Sequence, residues 1–191
     1  MRRRMSPRPK LVLLAFLLAC LPTLTGCVNT REHNAAREGL PEKIGHLEYN
    51  VYITRELNLA DVEDQGYYKG PEAPPGYALY GVWLTVCNPS DTVASPHWMA
   101  SSRFTIQDTQ GNNYHPIPLP KDNVFAYQPV PLKHNACFPA PGSLAAASPT
   151  NGSLLIFKLP LDALENRPLD LIIESPPLKD GRDSGRIELD V

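Results

Sequence analysis

The chain has 191 residues, 42% of them hydrophobic and 20% charged, a length that supports one domain, at most two small ones, with a real core. Its 21 prolines argue against a helix bundle and for strands and turns, because an interior proline removes a helical backbone donor. The formal net charge of −2 excludes a basic nucleic-acid binder on bulk charge, and no nucleic-acid partner is expected.

That charge is unevenly spread. Residues 1–26 hold five of the 18 basic residues (Arg2, Arg3, Arg4, Arg8 and Lys10) and no acid, which leaves 13 basic against 20 acidic residues in the remainder, a net of −7. Residues 11–21 are apolar without interruption. A bilayer span needs about 20 such residues, so this stretch reads as the apolar region of a secretory signal peptide covering residues 1–26. It closes on Leu24, Thr25, Gly26 and Cys27, and this quartet resembles the lipobox of bacterial lipoprotein precursors. The resemblance implies recognition of Leu24, Thr25 and Gly26 by a signal peptidase, cleavage before Cys27, and diacylglyceryl attachment to the Cys27 thiol. It thus implies an extracytoplasmic protein held at a membrane by acyl chains such as palmitate. Val28, rather than Asp, follows the cysteine, so the resemblance implies the outer membrane or the outer face of a plasma membrane. Two acyl chains suffice for stable anchoring where one is marginal. Residues 27–45 are polar after the cysteine, have no apolar period, and read as a tether.

From residue 46 to 191 the pattern becomes that of strands. Leu47, Tyr49, Val51 and Ile53 alternate with Glu48, Asn50, Tyr52 and Thr54, the period of a half-buried strand. Tyr77–Cys87 is a longer run with Val82, Leu84 and Val86 on one face and Trp83, Thr85 and Cys87 on the other, ending at the turn signal Asn88-Pro89-Ser90. Arg103–Gln107 alternates around Phe104 and Ile106, and the turn at 108–113 leads to a short strand at Tyr114. Residues 153–159, Leu169–Glu174 and 187–191 complete the set, with further strand candidates at 124–130 and 144–147. Leu161–Glu165 is the one helical turn expected. Seven to eight strands without a long helix predict an all-β, immunoglobulin-like sandwich.

The order of these segments is similar to that of exported bacterial lipoproteins carrying a telokin-like, immunoglobulin-like domain. The likeness rests on the early strand at Tyr49 and Ile53, the strand ending in Asn88 and a turn, the strand of Phe104 before the Gly111 turn, and the strand from Leu154 to Pro160. An antibody-type domain places a Tyr two residues before its second cysteine. Here Asn135 and Ala136 precede Cys137 and no Tyr stands there, which points to a local staple instead of the inter-sheet bridge.

Cys20 leaves with the signal and Cys27 is the lipidation site, so Cys87 and Cys137 remain. An even pair in an oxidising compartment is most simply a disulfide, closing a loop of about 50 residues worth roughly 4 kcal/mol by chain entropy. Two separate buried thiols are the alternative. A copper site built from His97, Met99, His134 and Cys137 lacks the downstream His or Met that would close it.

One acidic segment, residues 61–72, has the spacing of a Ca²⁺ loop: Asp61, Glu63 and Gln65 at positions 1, 3 and 5, Gly66 at 6 and Glu72 at 12. The competing reading is a solvated acidic loop between the first two strands. No nucleophile elbow, zinc-protease helix, Ser-x-x-Lys or phosphate-binding glycine loop occurs, and the five histidines are scattered. The expectation is therefore a non-enzymatic binding or protein-interaction module at the cell envelope, with a Ca²⁺ or small-ligand binder as the alternative. Tyr67 and Tyr68 in one loop, Trp98 in a second, and residues 127–131 in a third are the expected contact surface for an envelope protein partner, since Tyr and Trp are enriched in such contacts. Clustering of these loops at one end favours the interaction module, and a deep pocket favours the ligand binder.

Overall fold

The computed structural model describes residues 36–90, 96–179 and 181–189. In chain order the elements are β1 (Ala36–Arg37), β2 (Glu42–Ile44), β3 (Leu47–Glu56), α1 (Val62–Tyr67), β4 (Tyr77–Cys87), β5 (Trp98–Met99) and β6 (Arg103–Gln107). There follow β7 (Asn113–Tyr114), β8 (Pro116–Ile117), β9 (Pro131–Leu132), β10 (Cys137–Phe138), α2 (Leu144–Ala147), β11 (Ser153–Pro160), α3 (Leu161–Glu165), β12 (Leu169–Glu174) and β13 (Ser184–Leu189). They form an all-β sandwich. One sheet has the order β2-β3-β4-β11-β8, with β10 also paired to β4, and the other β1-β13-β12-β6-β7. A separate two-stranded ladder joins β5 to β9.

Seven of the strands follow the immunoglobulin order. Strands β3, β4, β11 and β8 occupy the A-B-E-D positions of one sheet, and β6, β12 and β13 the C-F-G positions of the other. Alternation explains the core between them. Tyr49 and Val51 of β3, Val82, Leu84 and Val86 of β4, and Phe157 of β11 meet Phe104, Ile106, Leu171, Ile173 and Ile187 from the facing sheet, all buried. The outer face of the second sheet is half exposed, so β12 alternates buried and partly buried positions.

Strand β4 does not alternate, because the first sheet is covered on both sides. On its outer face Leu79, Trp83, Leu154 and Ile156 form a second cluster with Leu57, Tyr67 and Tyr68 from the β3–β4 connection, against which Ile117, Leu119 and Phe125 also pack. The Trp83 ring is folded back over its own strand: a Cβ on Gly81 would stand 2.6 Å from it. The continuous run Tyr77–Cys87 thus has the pattern of a strand buried on two faces.

Three sequence expectations are corrected here. Residues 36–44, expected within the 27–45 tether, belong to the sandwich: β1 pairs in parallel with β13, Ala36 opposite Ile187, and β2 pairs antiparallel with β3, Ile44 opposite Leu47. The β1 pairing is long-range and the β2 pairing is a tight hairpin through Gly45 and His46, but two or three residues are too few to show a period. Residues 144–147, expected as a strand, are the helix α2, whose Ser143 cap accepts a hydrogen bond from the Ala146 N–H; Leu-Ala-Ala-Ala is a strongly helix-forming string. Residues 124–130 form no strand and contribute only a bridge between Ala126 and Leu154.

Candidate binding groove

Helix α1 positions the groove. Asp61 caps it by accepting from the Glu63 N–H at 2.9 Å, and Glu63 and Asp64 place negative charge in its first turn, where the helix dipole favours it. Asp64 then fastens the helix to β3. Its carboxylate accepts from the Arg55 guanidinium at 2.9 and 2.5 Å and from the Asn58 N–H at 2.7 Å. Burial alone would raise the Asp64 pKa, but the Arg55 hydrogen bond, the Asn58 N–H and the Arg55 charge outweigh it and hold the carboxyl below its ordinary value. The same guanidinium lies 5.2 Å from the centre of the Trp83 ring, a cation–π distance.

Tyr67, at the end of α1, meets Trp83 and Phe125 edge to face, with ring centres 5.4 and 4.9 Å away. Asn123 donates from Nδ2 to the Tyr67 carbonyl at 2.8 Å, which docks the 118–125 segment beside the helix. Between them lies a groove of about 560 Å³, floored by Tyr67, Tyr68 and Phe125 and edged by Lys69, Pro71, Pro118 and Asp122. A second hollow of about 360 Å³ lies against Val62, Leu144 and Pro149 and shares Gly66, Tyr67 and Phe125 with the first. Three apolar side chains stand out around this pair of hollows: Val62 is 81% exposed, Val124 60% and Leu144 68%.

The sequence-predicted residues fall differently. Asp61 is a helix cap, Glu63 lies 3.7 Å from Arg55, and Gln65 donates its amide to the Leu59 carbonyl. Glu72 lies beyond α1, in the segment leading to β4. The expected Ca²⁺ loop is thus a helix whose side chains are turned to capping and anchoring, and no group of three His, Cys, Asp or Glu among the described residues could hold a metal ion. Tyr67 and Tyr68, expected as exposed contact residues, are 5% and 7% exposed; they build the groove floor and the second cluster. Trp98 is half-buried and stacks on His46 at 3.6 Å between ring centres.

Cys87 and Cys137 form the disulfide. They stand directly opposite in the β4–β10 pairing, so the bond lies within one sheet, as a local staple, and is not an inter-sheet bridge. It also removes Cys137 from any copper site. Leu24, Thr25, Gly26 and Cys27 lie outside the described residues.

Of the three predicted contact loops, two meet at one end of the sandwich. Strand β5 pairs with β9 there, the Ala100 N–H donates to the Val130 carbonyl at 3.0 Å, and the Tyr127 hydroxyl donates to the Ser101 carbonyl at 2.7 Å. Ser101 ties this end across both sheets. Its N–H donates to the Tyr49 hydroxyl at 2.8 Å and its hydroxyl to the Glu174 carbonyl at 2.5 Å. Burial pushes the Tyr49 hydroxyl up to about 12, against the lowering effect of the Ser101 N–H. The third loop, with Tyr67 and Tyr68, lies on the outer face of the first sheet.

Val62, Val124, Phe125 and Leu144 were not singled out by the sequence. The available signal was an Asp followed by acids at the second and third helical positions, a helix start at Asp61. Among the described residues no helix is long and apolar enough to cross a membrane. Compared with known proteins, the chain matches no protein-family model, no curated protein and no solved structure.

Proposed function

We propose that the protein is a lipid-anchored, extracytoplasmic binding module of the cell envelope: residues 1–26 direct export, acyl chains on Cys27 hold it at the membrane, and the sandwich binds a partner without catalysis. Its lipobox-like sequence at Leu24, Thr25, Gly26 and Cys27 supports the anchoring, and the Cys87–Cys137 disulfide is in keeping with an oxidising compartment. The observation that carries the binding role is the paired hollow beside α1, ringed by Val62, Val124 and Leu144. Apolar side chains exposed together around a concave floor mark contact sites on soluble domains. The partner surface this fits is an apolar segment of an envelope protein, with Lys69 and Asp122 offering polar contacts at the rim.

The test is affinity capture by the full-length lipidated protein from its own membranes, compared with a Val62→Ser, Val124→Ser, Leu144→Ser variant of equal thermal stability. A partner held by the natural chain and lost by the variant supports the reading. Equal capture by both, or no capture by either, overturns it.

A further inference from the structure

We propose that the partner segment held beside α1 is an amphipathic α-helix, seated over Gly66 and Ala147 and gripped on its sides by Val62 and Leu144. This rests on the binding role proposed above and adds the conformation of the partner to it.

Helices α1 and α2 present the same pairing outward. Val62 and Gly66 are four residues apart on α1, and Leu144 and Ala147 three apart on α2, spacings that put each pair on one helix face. All four line the hollow between the two helices. Each helix thus offers one large apolar side chain that stands clear of the surface and, one turn on, an exposed position with little or no side chain. Large residues beside small ones make a trough into which a third helix lowers its own ridge of side chains.

Nothing in the fold requires glycine at position 66. Glycine inside a helix costs stability relative to alanine, because it surrenders more backbone freedom on folding. Gly66 has no positive φ, and among the described residues a Cβ there would meet nothing within 4 Å outside its own helix. At Gly185, by contrast, a Cβ would stand 2.5 Å from Ile44. Gly66 lines both hollows, which it joins together with Tyr67 and Phe125. An added side chain would fill the passage between them, so the missing Cβ serves a ligand that lies across both.

The backbone of the groove decides what form that ligand takes. The N–H groups of Tyr68, Asn123 and Ala147 donate to the carbonyls of Asp64, Pro120 and Ser143 at 2.9, 3.1 and 2.9 Å, and that of Phe125 to Asn123 Oδ1 at 2.9 Å. The Tyr67 carbonyl is taken by Asn123 Nδ2, and the prolines along both hollows have no N–H to give. An added strand would find no row of free backbone groups to pair with. A helix satisfies its own backbone and needs only apolar contact. A polyproline segment needs exposed aromatic rings, but Tyr67 and Tyr68 are buried while the aliphatic Val62, Val124 and Leu144 stand out. Glu63 edges the smaller hollow, whereas Lys69 and Asp122 offset each other at the larger. The flank of the partner helix over the smaller hollow therefore gains from a basic residue.

The experiment uses the full-length protein in detergent micelles as bait for two displayed libraries of peptides of about 16 residues. One library is patterned as an amphipathic helix, and the other is proline-rich and extended. The helical library should yield binders that gain helical circular dichroism on the protein and weaken roughly tenfold or more against Gly66→Gln. Gly66→Ala should melt about 2–4 °C higher than the natural chain, and Gly66→Gln no lower than it. Binders from the extended library alone, or helical binders indifferent to Gly66→Gln, overturn the helical occupant. The groove itself stands in that case if those binders are lost on Val62→Ser, Val124→Ser, Leu144→Ser. A Gly66→Ala chain that melts lower shows that the fold needs the glycine and overturns the inference. Binders from neither library, or binders untouched by the triple variant, overturn the groove and its helical partner together.

Discussion

Two buried carboxylates set how this domain responds to acid. Asp64 is 2% exposed and Asp108 3%, and each is surrounded by donors. Asp108 accepts from the N–H groups of Gln110 and Asn112 at 2.9 Å, from Asn112 Nδ2 at 2.8 Å and from the Tyr114 hydroxyl at 3.1 Å. Burial opposes the charged form of both, yet the hydrogen bonds prevail and each pKa lies below its ordinary value. A carboxyl with a lowered native pKa contributes stability that is fully present above its unfolded pKa, about 3.9, and is lost as pH falls through the native value. Urea unfolding should therefore be nearly flat in pH above about 5 and weaken progressively below about 4. Asp64→Asn with Asp108→Asn should be less stable at neutral pH and show a shallower acid limb. Removing either carboxylate alone should cost about 2–3 kcal/mol, because buried donors lose their acceptor. An acid limb unchanged in the double variant would contradict this account. The Asp108 turn was legible in the string DTQGNN; the Asp64 anchor was not, because Arg55 lies nine residues away on another element.

At the scale of elements, regular strands were readable wherever one face meets solvent. Strand β6 shows the expected alternation, and so does β12, because polar residues can only turn outward. The two-residue strands β1, β5 and β10 are different: each exists through the partner it pairs with, and no local pattern announces them. Strand β10 is the clearest case, joined to β4 by two residue pairs and by the Cys87–Cys137 bond. Replacing both cysteines by alanine should lower stability by up to about 4 kcal/mol, the chain-entropy value for a 50-residue loop. It should also raise amide exchange at Cys137 and Phe138 positions before that of β11, which holds β4 by eight pairs. Uniform exchange across β4, β10 and β11 would show that the bond does not fasten β10 locally. Helix α1 illustrates the opposite kind of miss. Its cap and acidic first turn are local signals, but the same residues at positions 1, 3, 5 and 12 of a metal loop competed for them, and Gly66 with two tyrosines weakens the helical pattern.

For the whole molecule, the folding unit begins earlier than polarity suggests. Ile44 is 1% exposed, and burying such a side chain contributes about 1.5–3 kcal/mol; β1 and β2 also close an edge on each sheet, protecting it from other chains. A soluble fragment starting at residue 46 should melt well below one starting at residue 33 and aggregate more readily. Equal melting temperatures would return residues 36–45 to the tether. The amino-acid sequence by itself determined the strand-rich class, most of the turns and the cysteine pair, because alternation, turn chemistry and residue type are encoded among neighbours. Only the tertiary structure decided that Tyr67 and Tyr68 are buried, that α1 and the 118–125 segment cover Trp83, and that Val62, Val124 and Leu144 stand around two adjoining hollows. Those facts depend on which distant segments share a face, and an apolar residue read alone looks the same whether another part of the chain covers it or leaves it open.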